Sequence, residues 1–68
     1  MKDAKFEVGD IVTVDGNINE IRGMRFVCSD LGTEGWEYYC SETKPMPEGQ
    51  VTRYYWVQED KISGKASG

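Results

Sequence analysis

The chain has 68 residues and a net charge of −4, from 12 acidic and 8 basic side chains. So short a chain holds one domain at most and buries only about 60% of the surface its unfolded form exposes, so it needs a compact core. The acidic balance argues against binding driven by attraction to phosphate backbones or anionic lipids, and no apolar run approaches the ~20 residues of a helical membrane span.

Residues 1–4 read as a flexible N-terminus without the apolar stretch of a signal peptide, so a cytoplasmic location is expected. The first regular stretch is predicted over Lys5–Gly16, where Phe6, Val8, Val12 and Val14 share one parity, the period of a strand. Gly9-Asp10 interrupts it with a turn, and Asp15-Gly16-Asn17 ends it. From Glu20 to Ser29 the apolar parity changes, with Ile21 on one side and Met24, Phe26 and Cys28 on the other, which predicts a bulge at Gly23. A glycine-containing loop, Asp30–Gly35, then leads into Trp36–Ser41, so Met24–Ser29 and Trp36–Ser41 are expected to form a hairpin. Pro45 and Pro47 mark Glu42–Gly49 as an exposed connection. Gln50–Gln58 is dense in β-formers and reads as a strand, Glu59–Ile62 as a 3₁₀ or helical turn that returns Ile62 to the core, and 63–68 as a flexible tail.

Four to five short antiparallel strands with local hairpins and a closing turn predict an all-β small barrel over residues 5–62, since closure removes the edges that so small an open sheet would present. An open meander is the alternative. The runs Phe6-Glu7-Val8-Gly9-Asp10-Ile11-Val12-Thr13-Val14 and Tyr55-Trp56-Val57-Gln58-Glu59-Asp60-Lys61-Ile62 resemble SH3-like and KOW-like barrels of bacteria and their phages. More narrowly the chain resembles the YorP type of small prophage-encoded SH3-like protein. The resemblance implies a fold without implying an activity. KOW modules usually carry basic residues for RNA or polymerase partners, and this chain departs from them in being acidic.

Histidine is absent, which removes the commonest general base and metal ligand. No P-loop is present, because Gly32-Thr33-Glu34-Gly35 lacks the lysine and carries an acid. The chain is therefore expected to be no enzyme and to use no cofactor or metal. Cys28 and Cys40 flank the central hairpin loop at nearly equal distances, so a simple register would oppose them as a thiol pair; two reduced thiols packed as small hydrophobes is the favoured account.

Trp36, Tyr38 and Tyr39 on one strand, and Tyr54, Tyr55 and Trp56 on another, put rings on both parities. Tyr54 and Trp56 are expected to face outward, with Tyr55 and Val57 inward. The outward rings either form an interaction surface or lie beneath the Lys44–Gly49 loop as a satellite core. The leading expectation is a phage-type interaction module, a monomer that binds a protein through Trp36, Tyr38, Tyr54, Trp56, Glu37 and Arg53, with flanking acids giving orientation. The alternative is a KOW-like nucleic-acid binder that stacks bases on Tyr and Trp and uses Lys5, Arg22, Arg25 and Arg53 for phosphates, joined by Lys2 if these cations converge.

Overall fold

In the computed structural model, which describes residues 3–32 and 34–66, Val12 and Val14 turn one face of a short strand, β1 (Ile11–Val14), into the core. Asp15 and Gly16 both have positive φ, 51° and 81°, which is the tight turn that an Asp-Gly pair favours. It reverses the chain at once into β2 (Asn17–Cys28), with Val14 opposite Asn17. β2 pairs with β3 (Glu34–Met46), and the register shifts between Ile21 and Gly23. Arg22 is the extra residue, so the expected bulge is present, and the expected central hairpin with it.

β4 (Gly49–Gln58) follows β3, a 3₁₀ turn spans Glu59–Lys61, and β5 (Ile62–Lys65) pairs back onto β1. The result is one five-stranded antiparallel sheet in the order β4-β3-β2-β1-β5, an all-β, small barrel-like fold. The bulge lets the single long β2 serve both halves: its first residues pair with β1, its later ones with β3. The core is drawn from all five strands and from Phe6, with Val12, Val14, Ile21, Tyr38, Cys40, Val57 and Ile62 buried. No described helix is long and apolar enough to cross a membrane.

Three expectations are corrected. Val8 shares parity with the core valines but is 58% exposed, because residues 7–10 turn rather than extend: Glu7 N–H donates to Asp10 Oδ2, Asp10 N–H to Glu7 O, and Gly9 has φ of 97°. The segment 63–68 is not simply a tail, since its residues through Lys65 form β5; residues 67–68, like 1–2 and Thr33, lie outside the described residues. The proline-marked connection is mostly strand. β3 runs through Pro45 to Met46 and the turn is confined to Pro47 and Glu48. Pro45 is tolerated because β3 beyond Ser41 is paired on one side alone, to β4, where a missing N–H leaves the other ladder untouched.

Candidate functional site

The ladder between β3 and β4 decides which rings share a face. Tyr39 stands opposite Trp56, Ser41 opposite Tyr54 and Glu37 opposite Gln58, all on the outside of the sheet. Tyr38 opposite Val57 and Cys40 opposite Tyr55 point the other way, into the core. Tyr54 is 52% and Trp56 41% exposed, as expected, and Tyr55 and Val57 are turned inward.

The outer rings form a strip. Tyr39 stacks on Tyr54 with centroids 5.9 Å apart and planes 15° apart, and meets Trp56 at 5.2 Å and 48°. Two arginines of β2 flank it. Arg25 places its guanidinium carbon 4.0 Å from the Trp56 centroid, while its Nε and a terminal nitrogen both donate to Glu37 Oε1, at 2.8 and 2.7 Å. Arg22, turned outward by the bulge, lies 6.0 Å from the Tyr54 centroid, donates from Nε to Ser41 Oγ at 3.1 Å and pairs with Glu20 at 3.3 Å. Each guanidinium is thereby held over a ring by a second, polar anchor, which fixes the orientation of an otherwise floppy side chain.

Beside this strip, where β3 begins, Trp36 and Gly35 floor a cleft of about 390 Å³ rimmed by Glu34, Glu37, Glu59 and Asp60. Trp36 is half-buried, set edge-on to Phe26 at 5.3 Å. Glu37 belongs to both features, bordering the cleft and bonded to Arg25 of the strip. The strip therefore carries arginines along one flank and carboxylates at one end.

Of the six residues expected to form the site, the structure brings Tyr54, Trp56 and Glu37 together on the outer face and sets Trp36 in the adjoining cleft. Two are corrected. Tyr38 is fully buried: its ring meets Phe6 edge-on at 5.6 Å and its hydroxyl donates to Glu59 Oε2 at 2.7 Å, so it is core. Arg53 is on the opposite face, 4.7 Å from the Tyr55 ring and 3.3 Å from Glu42. Glu42, 2% exposed, is also reached by Lys44 at 3.5 Å. Burial pushes its carboxyl up, but Lys44 and Arg53 outweigh this, and hydrogen bonds from Lys44 and Asn19 add to them, so it stands below the usual glutamate value. This cluster organises the root of the β3–β4 hairpin.

Sequence reasoning missed Tyr39, and it placed Arg22 and Arg25 only among candidate phosphate contacts. Those two arginines do share a face, but Arg53 does not join them. Lys2 lies outside the described residues. The Lys44–Gly49 segment does not cover the rings, because it continues β3 and β4 away from the barrel, so no satellite core forms over them.

Cys28 and Cys40 are not opposed. Cys28 faces Glu34 and is exposed, whereas Cys40 faces Ile21 and is buried, because the hairpin loop is short and β3 begins at Glu34, opposite Cys28, so Cys40 lies well along the strand. Burial pushes the Cys40 thiol up. Both are free thiols. Among the described residues no three Cys, Asp or Glu side chains converge as metal ligands would.

Fold and surface together define a small all-β barrel-like domain with an outward aromatic strip clamped by arginines. No family model, curated protein or solved structure matches the chain.

Proposed function

We propose that the chain is a non-catalytic protein-interaction module of phage or prophage type, cytoplasmic and akin to YorP-like SH3-like barrels, whose contact surface is the outer face of β3 and β4. The observation that carries this reading is the strip itself: Tyr39 in contact with both Tyr54 and Trp56 on the outer face of the sheet, the latter two exposed, with Arg22 and Arg25 fixed over the rings. Tyr, Trp and Arg are the residue types that most often anchor protein interfaces, since they offer large contact area at low entropic cost. The carboxylates Glu34, Glu37, Glu59 and Asp60 at one end favour a partner whose complementary edge is basic.

The test is capture of a partner from the native host by the wild type, followed by Tyr54→Ala and Trp56→Ala. Both variants should lose the partner by tenfold or more while their circular dichroism stays that of the folded barrel; Arg53→Ala, on the opposite face, should retain it. Retention by both aromatic variants would show that the strip is not the contact surface.

A second reading draws on the same arginines, because a guanidinium over an aromatic ring also suits nucleobase stacking. Against it stand the acids that neutralise each arginine, Glu20 and Glu37. Gel shifts with single- and double-stranded DNA and RNA at two salt concentrations separate the readings: binding at low salt that falls steeply with added salt belongs to the nucleic-acid reading alone.

A further inference from the structure

Among the described residues the sheet has two free edges, and they differ. β5 is four residues long, contains Gly64 and ends at Lys65, and shortness and charge are means by which edge strands avoid pairing. β4 is ten residues long, contains no proline and a single charge, Arg53, and among the described residues pairs on one side only, with β3. Arg53 is drawn back onto its own Tyr55 and Glu42 rather than projecting as a guard. A long row of backbone donors and acceptors without such guards is a template for another strand.

The occupant is written in β4 itself. Gln50-Val51-Thr52-Arg53-Tyr54-Tyr55-Trp56-Val57-Gln58 has the same residues at both ends about Tyr54, glutamine with glutamine and valine with valine, while the two inner pairs differ. Two copies related by a twofold axis perpendicular to the sheet keep like faces on the same side, so opposed residues must have the same parity and the axis must pass at a residue. An axis at Arg53 would set two guanidiniums directly opposite, which is destabilising. An axis at Tyr54 opposes Gln50 to Gln58, Val51 to Val57, Thr52 to Trp56 and Arg53 to Tyr55 of the other copy. Amide then meets amide, valine meets valine, and the cation meets the kind of ring it already covers at 4.7 Å.

We infer that two copies of this chain pair antiparallel along β4 with Tyr54 on the twofold axis. The two sheets join into one of ten strands, and the outer strips of both copies become a continuous aromatic face. Nine paired residues make a contact smaller than the roughly 800 Å² per partner of a standard interface, so the dimer dissociates in the micromolar range or above. Because each copy carries −4, screening their mutual repulsion tightens the pair, the opposite of the salt dependence of nucleic-acid binding.

Sedimentation equilibrium of the full chain tests this. The wild type should show a monomer–dimer equilibrium that strengthens with salt. Tyr54→Lys and Tyr54→Glu should each weaken it at least tenfold, since like charges then meet on the axis, and an equimolar mixture of the two should dimerise again because opposite charges meet there. Tyr54 is 52% exposed, so neither change enters the core. Hydrogen exchange of the wild type at low and high concentration needs no variant and should show added protection in β4 but not in β5. The proposal is overturned by a wild type that stays monomeric to about 1 mM, by single variants that dimerise like the wild type, by a mixture that stays monomeric, or by protection that appears at β5 instead.

Discussion

Tyr38 carries two loads at once, filling the centre of the barrel with its ring and tying the N-terminal segment to the 3₁₀ turn with its hydroxyl. That hydroxyl donates to Glu59 Oε2 and accepts the Phe6 N–H at 3.3 Å, and Glu59 Oε2 also takes the Lys5 N–H at 3.0 Å. Burial, then the hydrogen bond and negative charge of Glu59, push its phenol up to about 12, against the smaller opposing pull of the Phe6 and Lys5 amides. A group that holds its proton more tightly when folded gives stability that is complete below its unfolded value, about 10, and is lost as pH rises toward 12. Tyr38→Phe should therefore destabilise the fold at neutral pH by about 2 kcal/mol, a hydrogen bond to a charged acceptor plus a stranded N–H. For a domain this small that lowers the melting temperature by about 10 °C, measurable by circular dichroism. The variant should also lose the part of the alkaline loss of stability that lies between pH 10 and 12. Glu42 works with the opposite sign. Its folded value is depressed, so its contribution is present above the ordinary glutamate value of about 4.3 and disappears as pH falls through the lower, folded one. Urea unfolding should show stability decreasing across that acid window, and in Glu42→Gln this part of the decrease should be absent while stability at neutral pH is already reduced.

At the scale of the element, the bulge in β2 does more for the outer face than any turn, because it carries Arg22 outward and resets the parity so that Arg25 and Gly23 lie beside the rings. Gly23 stands opposite Tyr39 in the ladder, its φ is not positive, and a Cβ placed on it would sit 3.5 Å from the Tyr39 Cβ, an ordinary contact. The glycine is thus not what the bulge demands. Gly23→Ala should fold normally and leave stability unchanged or raise it by up to about 1 kcal/mol, because alanine loses less chain entropy on folding. A loss of more than that in urea unfolding would mean that the Tyr39 ring needs the open backbone beneath it. The bulge was legible in the sequence because it leaves a scar in the pattern, with Ile21 on one parity and Met24 and Phe26 on the other. The all-β fold and its first four strands were legible for the same reason, through alternation, the Asp15-Gly16 turn and the return of Ile62 to the core, whereas β5 was not, because its Ser63-Gly64-Lys65 stretch has the composition of a tail. The site was legible only in part. Tyr54 and Trp56 were read as outward from their alternation with Tyr55 and Val57, but which rings of β3 join them depends on the register across the Pro47-Glu48 turn. The prolines read as a long loop, and with the loop length unknown nothing distinguishes Tyr38 from Tyr39. The thiol pair failed likewise, since it too depends on the register of a hairpin: β3 already starts at Glu34, opposite Cys28, which leaves Cys40 further along the strand facing Ile21.

The whole molecule is longer than its size requires. Its radius of gyration is 13.2 Å and it measures 45 × 25 × 18 Å, whereas a compact chain of this length has a radius near 11 Å. The excess is the far end of the β3–β4 hairpin, where residues 43–54 are all exposed and β3 has left β2 behind. No buried core residue lies in that stretch; the last on β3 are Cys40, Ser41 and Glu42, and the first apolar one on β4 is Val57. The arm therefore contributes little hydrophobic stabilisation, and the barrel should fold without its tip. Thr43 and Thr52 are opposed and share a hydrogen bond between their hydroxyls at 2.8 Å, which would brace a shorter hairpin closed one pair beyond them. Replacing residues 45–50 by Asn-Gly, the pair that best favours a two-residue hairpin turn, closes the hairpin on Lys44 opposite Val51, a pair of the same kind as Met46 opposite Gly49, and keeps Lys44 beside Glu42. It should leave the melting temperature within a few degrees of the wild type, since the lost ladder was solvent-exposed and the entropy of ordering it is lost as well. Small-angle scattering, at concentrations low enough to hold both proteins monomeric, should show the radius of gyration fall toward the compact value. The outer strip, whose rings all lie outside the excised segment, should still bind the partner that Tyr54 and Trp56 contact, while self-pairing weakens because Gln50 is gone from both ends of the β4 ladder. A shortened chain that unfolds would show instead that the arm is part of the folding unit, with the buried Glu42 cluster at its root depending on the ladder beyond it.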